Sequence, residues 1–298
     1  MTATATPREQ PTEPRRPGRP GRPAHRRRPL TWRAELGRQL RRRRTLWSFG
    51  LLLALPLVVV GAFAIGRSDG SSPTTATSFV SLATANAANF AVFTTSAAAS
   101  FLLVVLAALF VGDALPSEAS WSSLRYLLVA PVPRTRLLTS KLVVALTSMA
   151  FAVFLLIGWS LLVGGVFYGW GAFTNPAGGT LGWDVLGWRL LGVAAYVVVT
   201  LLQVGAIAFA LGTRTDAPLA AVGGAVMVTI VTAILGQIDN LGVIRNGLPM
   251  YYQRAWFDLL APTVDWTGIR HGVVWSLFWT VLFIGLGYAL FRRKDVLS

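Results

Sequence analysis

LLGVAAYVVVTLLQVGAIAFALGT, residues 190–213, contains no charged side chain, and its one strongly polar group is Gln203. Crossing roughly 30 Å of hydrocarbon takes about 20 apolar residues in a helix, because each residue rises 1.5 Å and every backbone group must find its partner within the segment. Five other stretches of this kind lie either side of it: Leu46 to Gly66, Phe90 to Val111, Leu142 to Val166, Ala217 to Ile238 and Gly272 to Phe291. All lack charge. Together with Leu190 to Thr213 they predict an all-α membrane protein of six transmembrane helices. The third stretch stays uncharged as far as Trp183, but Gly164, Gly165, Gly169 and Gly171, then Asn175, Pro176, Gly178 and Gly179, break it into one span and a loop.

Composition agrees with the spans. Apolar residues make up 54% of the 298 positions and charged residues 13%, against about a quarter charged in soluble proteins. There are no cysteines, and the two histidines are His25 and His271, so thiolate metal sites and disulfides are excluded and no metal is expected. The net charge of +15 is concentrated: residues 1–45 hold 14 arginines against Glu9, Glu13 and Glu35. Such a basic tail is not a nucleic-acid face spread over the protein, and no nucleic-acid partner is expected. Arginine outnumbers lysine 25 to 2, a bias that points to a bacterial source.

Positive charge is retained on the cytoplasmic side. With the N-terminus inside, the tail, Arg125, Arg134, Arg136, Lys141, Arg214, Arg292, Arg293 and Lys294 are cytoplasmic, and only Arg67, Arg189, Arg245, Arg254 and Arg270 lie outside. Both termini are then cytoplasmic, and a multi-pass protein of the bacterial plasma membrane is expected. The first apolar run is 21 residues long, longer than a signal-peptide core, which favours an uncleaved first span. Residues 1–31, rich in Arg and Pro, read as a disordered cytoplasmic tail, and residues 32–298 as the membrane domain. Trp32, Leu36 and Leu40 recur every four residues among arginines. That pattern suits an interfacial helix on an anionic leaflet, and the arginine run equally suits a simple topology signal.

Catalytic motifs are missing. A phosphate-cradling G-x-x-x-x-G-K-[ST] loop needs a lysine after glycine, and the two lysines follow Ser140 and Arg293. The spans hold no paired carboxylates and no H-E-x-x-H helix. The lone His271 reads as an interfacial anchor, and no enzyme activity is expected of the chain.

Between the second and third spans, a helix from Ser117 to Ala130 would place Trp121, Leu124, Leu127 and Leu128 on one face and turn Glu118, Ser122 and Arg125 elsewhere. Pro131 and Pro133 would end it. Such a helix can lie on lipid headgroups or fill a groove on a soluble partner. The outer loop from Asp239 to Arg270 contains Pro249, then Tyr251, Tyr252, Ala255, Trp256, Leu259 and Leu260 opposite Gln253, Arg254 and Asp258. This spacing predicts a second amphipathic helix, either re-entrant or interfacial. Trp275 and Trp279 share a face of the sixth span and read as lipid anchors. Gln203 would bond to a neighbouring helix or line a pore, and Gly223, Gly224, Gly285 and Gly287 would let helices pack closely.

The run Val111-Gly112-Asp113-Ala114-Leu115-Pro116-Ser117-Glu118, with Trp121, Leu124, Arg125, Leu128, Pro131, Arg134, Arg136 and Lys141 after it, resembles the type-2 family of ATP-binding-cassette exporter permeases. In that family the second span ends in a Gly-Asp pair, followed by Glu, a leucine-rich helix, a Pro-x-x-Arg turn and a lysine. The ending Phe291-Arg292-Arg293-Lys294-Asp295 is similar to the family's too. The resemblance implies a permease subunit of an exporter that forms the translocation route. It implies a separate nucleotide-binding ATPase subunit that carries ATP and Mg, so this chain has no cofactor of its own, and a second permease copy or paralogue. It also implies coupling to the ATPase through Asp113, Glu118, Trp121, Leu124, Arg125, Leu128, Pro131 and Arg134, and an external helix with Tyr251, Tyr252 and Trp256 roofing the route. The competing functions are a membrane sensor or scaffold and a pore or secondary transporter. The last commonly needs ionisable groups at membrane depth, which the six stretches lack.

Overall fold

The computed structural model describes residues 43–68, 75–113, 134–176 and 178–293. Five of its helices are long and apolar enough to cross a membrane, and a bent pair makes six if it is counted as one span. The spanning helices are α1 (Arg43–Ser68), α3 (Ala87–Ser100) bent into α4 (Leu102–Gly112), α5 (Arg134–Tyr168), α6 (Trp183–Arg214), α7 (Pro218–Leu235) and α8 (Trp266–Arg293); the short α2 (Thr75–Ala83) precedes α3. One end of the bundle carries a two-stranded hairpin, β1 (Phe173–Thr174) with β2 (Thr180–Leu181), paired antiparallel with Phe173 opposite Leu181. The residues 1–31 tail, the Trp32–Leu40 pattern and the Ser117–Ala130 helix lie outside the described residues.

Where helices were expected they form, five with longer ends, while α7 (Pro218–Leu235) is shorter than the expected Ala217 to Ile238. α5 begins at Arg134 and α6 at Trp183, each several residues before the apolar run, so Arg134 and Arg136 open a helix and do not lie in a turn. The second span departs from the expected straight helix over Phe90 to Val111. It bends by 53° between α3 and α4, where Phe101 sits at φ −146° and ψ −56°. No proline or glycine lies between positions 87 and 111. The Ser100 hydroxyl donates to the Ser96 carbonyl (2.9 Å), a back-bonding that often bends helices. In α1 the cause of irregularity is plain from sequence: Pro56 leaves a carbonyl without its amide donor. One residue beyond that carbonyl, Leu53 accepts the Trp159 indole N–H (2.9 Å) from α5.

α6 is the hub. Leu186, Leu201, Val204 and Ala208 are fully or nearly fully buried, and the core continues through Leu103 and Ala107 of α4 and Val153 and Leu156 of α5. The most extensive helix pairing is α6 with α8. It requires small residues: a Cβ on Gly272 would collide with the Tyr196 hydroxyl, and one on Gly287 would come 2.6 Å from the Phe209 ring. Gly224 likewise lies against Leu211, but Gly223 and Gly285 face open space, so the expectation of close packing fails at those two. α1, α7 and α8 expose apolar side chains such as Trp47, Val58, Leu219 and Val281, as helices bathed in lipid do.

Gln203, 2% exposed, takes the bonding option. Its amide nitrogen lies 3.2 Å from Ser276 Oγ on α8 and 3.2 Å from Met250 Sδ, and its carbonyl accepts the Met250 N–H (3.3 Å). Met250 has φ +64°, a left-handed conformation costing a side-chain-bearing residue about 1–2 kcal/mol. The bond to Gln203 helps hold it there. Gln203→Leu keeps the volume and leaves the Met250 amide unsatisfied. It should cost about 1–2 kcal/mol, measured as a lower thermal midpoint in detergent; an unchanged midpoint would show that this amide does not fasten the loop.

Candidate functional site

At the end of the bundle opposite the hairpin, the Gly112-Asp113 pair closes α4. A Cβ at Gly112 would sit 3.1 Å from Ala208, so glycine lets α4 meet α6 there. Asp113, 1% exposed, forms an ion pair with Arg44 in the first turn of α1. The residue that starts the motif therefore ties the C-terminal end of the second span to the first. Lys141, also buried, lies on α5 nearby in sequence terms only after the undescribed segment. Of the other expected coupling residues, Glu118, Trp121, Leu124, Arg125, Leu128 and Pro131 lie outside the described residues, and Arg134 is the first residue of α5.

The outer loop does not form the predicted α-helix. After a 3-10 stretch at Asp239–Gly247 kinked at Gly242 (φ +54°) come tight turns and a short 3-10 helix, Ala255–Leu260. The loop is fastened through its backbone carbonyls. Tyr196 Oη donates to Tyr252 O (2.7 Å), Trp279 Nε1 to Gly247 O (2.9 Å) and Asn175 Nδ2 to Leu260 O (2.9 Å). The Arg189 guanidinium donates to the carbonyls of Leu259, Ala261 and Pro262. Trp275 packs on Gly247 as well, so Trp275 and Trp279 serve the loop and not the lipid anchoring expected of them. Tyr251 and Tyr252 pack edge to face at 4.9 Å, and His271 lies 5.9 Å from the Tyr252 ring. Trp256 is 1% exposed and stacks on Phe257 at 3.9 Å; its body is a core anchor.

Two asparagines that the sequence reading passed over hold the hairpin to α3. Asn86 caps the helix by accepting the Asn89 N–H (2.9 Å) and donates to Ala172 O (2.7 Å), while Asn89 exchanges bonds with both backbone groups of Thr174. An Asn three residues before another at a helix start was the available signal. Around the loop the acids are engaged. Asp265 accepts the Thr267 N–H (2.8 Å) at the start of α8, and that bond holds its carboxyl below the usual range. Burial, then the Asp265 charge, pushes the Asp258 carboxyl up.

Beneath this loop a pocket of about 220 Å³ opens between the bend in the second span and the outer half of α7. Phe101, Val104, Val226, Ile230 and Ile234 line it, with Gln253 at the loop side. Phe101, at the vertex of the bend, forms part of the pocket's wall. A smaller niche lined by Ser96, Ser100, Gln253, Arg254 and Trp256 adjoins it, sharing Ser100 and Gln253.

The ion pair makes a direct prediction. Arg44→Gln strands a buried carboxylate and should lower stability by about 1–3 kcal/mol, less than for a fully buried pair because Arg44 is 43% exposed. Arg44→Gln combined with Asp113→Asn should recover part of that loss in a thermal double-mutant cycle, with a coupling of about 1 kcal/mol. Additive effects would mean that the two side chains do not act as a pair.

A family model described as ABC-2 family transporter protein matches residues 34–296. No curated protein matches the chain as a relative. The match covers the bent second span, the loop motif after Asp113, the outer loop and the basic ending together, and the chain belongs to the ABC-2 family of transporter proteins.

Proposed function

We propose that the chain is the permease subunit of an ATP-binding-cassette exporter in a bacterial plasma membrane, powered by a separate ATPase subunit that docks on the segment 117–130. The observation that carries this reading is the family match across residues 34–296, joined to the position of Asp113. A coupling device needs a stiff link between a docking segment and the spans. Asp113 supplies one, since it stands at the start of that segment and is ion-paired to α1. Both termini and the 114–133 segment are assigned to the cytoplasm from the distribution of arginine and lysine. The loop over the α7 pocket is then external.

In this reading a second copy or a paralogue completes the route, and substrate moves outward past the pocket under the fastened loop. Trp121 and Leu124 are the anchors of the ATPase contact, because a few buried aromatic and aliphatic side chains dominate most interfaces. Glu118 and Arg125 act at its rim. The spans themselves supply no nucleotide chemistry; ATP and Mg belong to the partner.

Leu124→Asp puts a charge into the apolar contact and should reduce co-purification of the ATPase subunit by about tenfold or more, with membrane insertion unchanged. Glu118→Ala should keep assembly and lower transport per ATP. Wild-type recovery of the ATPase with Leu124→Asp would reduce the segment to a linker and remove the basis of the reading.

A further inference from the structure

We infer that the α7 pocket takes an amphiphile with a compact anionic head, its apolar body against α7 and its head at Arg254; this rests on the permease reading and names the substrate class of the same site. Three observations carry it. The larger cavity is walled by Phe101, Val104, Val226, Ile230 and Ile234, and such a surface gains by taking hydrocarbon out of water. The cavity's polar lining is Ser100, Thr229, Gln237 and Gln253, and Ser100 and Gln253 are shared with the niche that also holds Ser96 and Arg254. The charged end of the site is therefore the niche.

Charge fixes the sign of the head. Arg254 is exposed and, among the described residues, is the one ionisable group lining either cavity. The carboxylates closest in sequence are turned to other work: Asp265 caps α8 through Thr267, and Asp258 Oδ2 lies toward Gly268. A cation at the niche would meet the guanidinium without a lining carboxylate to offset it, whereas an oxyanion would gain a charge-assisted bond from Arg254, with the Ser96 hydroxyl beside it. The niche has a volume of about 10 Å³, room for about one water-sized group. That size suits a carboxylate oxygen and not a glycerophosphate headgroup.

The test uses the full-length chain in phosphatidylcholine nanodiscs with three ten-carbon probes: decanoate, decanol and decyltrimethylammonium. Decanoate should bind about fivefold more tightly than decanol, the modest factor appropriate to an exposed arginine, and the ammonium more weakly than either. Arg254→Gln should erase the preference for decanoate while leaving decanol binding in place, Arg254→Lys should retain most of it, and Val226→Trp should weaken all three by filling the apolar end. Equal affinity for the three probes, or an unchanged preference in Arg254→Gln, overturns the assignment. Displacement of decanoate by phosphatidylglycerol added to the discs overturns it in favour of a resident lipid. No ATPase subunit takes part, so a negative result here rejects the ligand class without touching the outcome of the Leu124→Asp co-purification.

Discussion

A buried amide in a hydrocarbon-facing bundle has no water to turn to, and Gln203 meets that constraint by joining three parts of the fold at once. Ser276 of α8 and the Met250 backbone and sulfur supply its partners. The first contact fixes α6 against α8, where Gly272 and Gly287 already allow close approach. The second holds Met250 in its left-handed conformation, and that turn lies midway along the outer loop that runs from α7 to α8. Tyr196, Trp279, Asn175 and Arg189 then hold the rest of the loop by its carbonyls. Each bond satisfies a backbone group that would otherwise be costly in a low-dielectric setting. The loop, α6 and α8 thus form one cross-braced wall.

Against this wall the second span and α7 are packed differently. α7 has only Ala221, Ala225 and Thr229 buried along its 18 residues, and the second span is broken at Phe101. The pocket lies where these two less constrained elements face each other. Motion at the Asp113 end has a covalent path to the bend through the eleven residues of α4, and a second path into α1 through Arg44. Under the permease reading, a push delivered near Asp113 would reach the pocket wall along α4, whose other end is the bend at Phe101.

Much of this was readable from the amino acids. Uncharged runs of span length identified the helices, because backbone bonding in lipid leaves few alternatives, and the Gly-Asp-led motif identified the family. The helix ends were less legible: Arg134, Asp184 and Arg189 ride on extensions of α5 and α6 beyond the apolar core, where hydropathy has no signal. The bend at Phe101 was invisible, since neither proline nor glycine marks it and a serine bonding back along the helix beside it is a common feature of unbent helices too. The outer loop showed a helical spacing of aromatics, yet its carbonyls found side-chain donors on α6, α8 and the hairpin in place of an α-helical ladder. Gly223 and Gly285 looked like packing glycines and meet no neighbour among the described residues of this chain, because sequence alone does not say which face of a span meets a neighbour.

The central claim is that the segment after Asp113 is where a soluble ATPase grips the permease, and hydrogen–deuterium exchange tests it most directly. Amides in residues 114–133 would be followed in the full-length chain, alone and with the ATPase subunit bound. The account predicts strong slowing of exchange centred on Trp121 and Leu124 when the subunit binds, with the outer loop at 239–265 unchanged. Identical exchange in 114–133 with and without the bound subunit would contradict it.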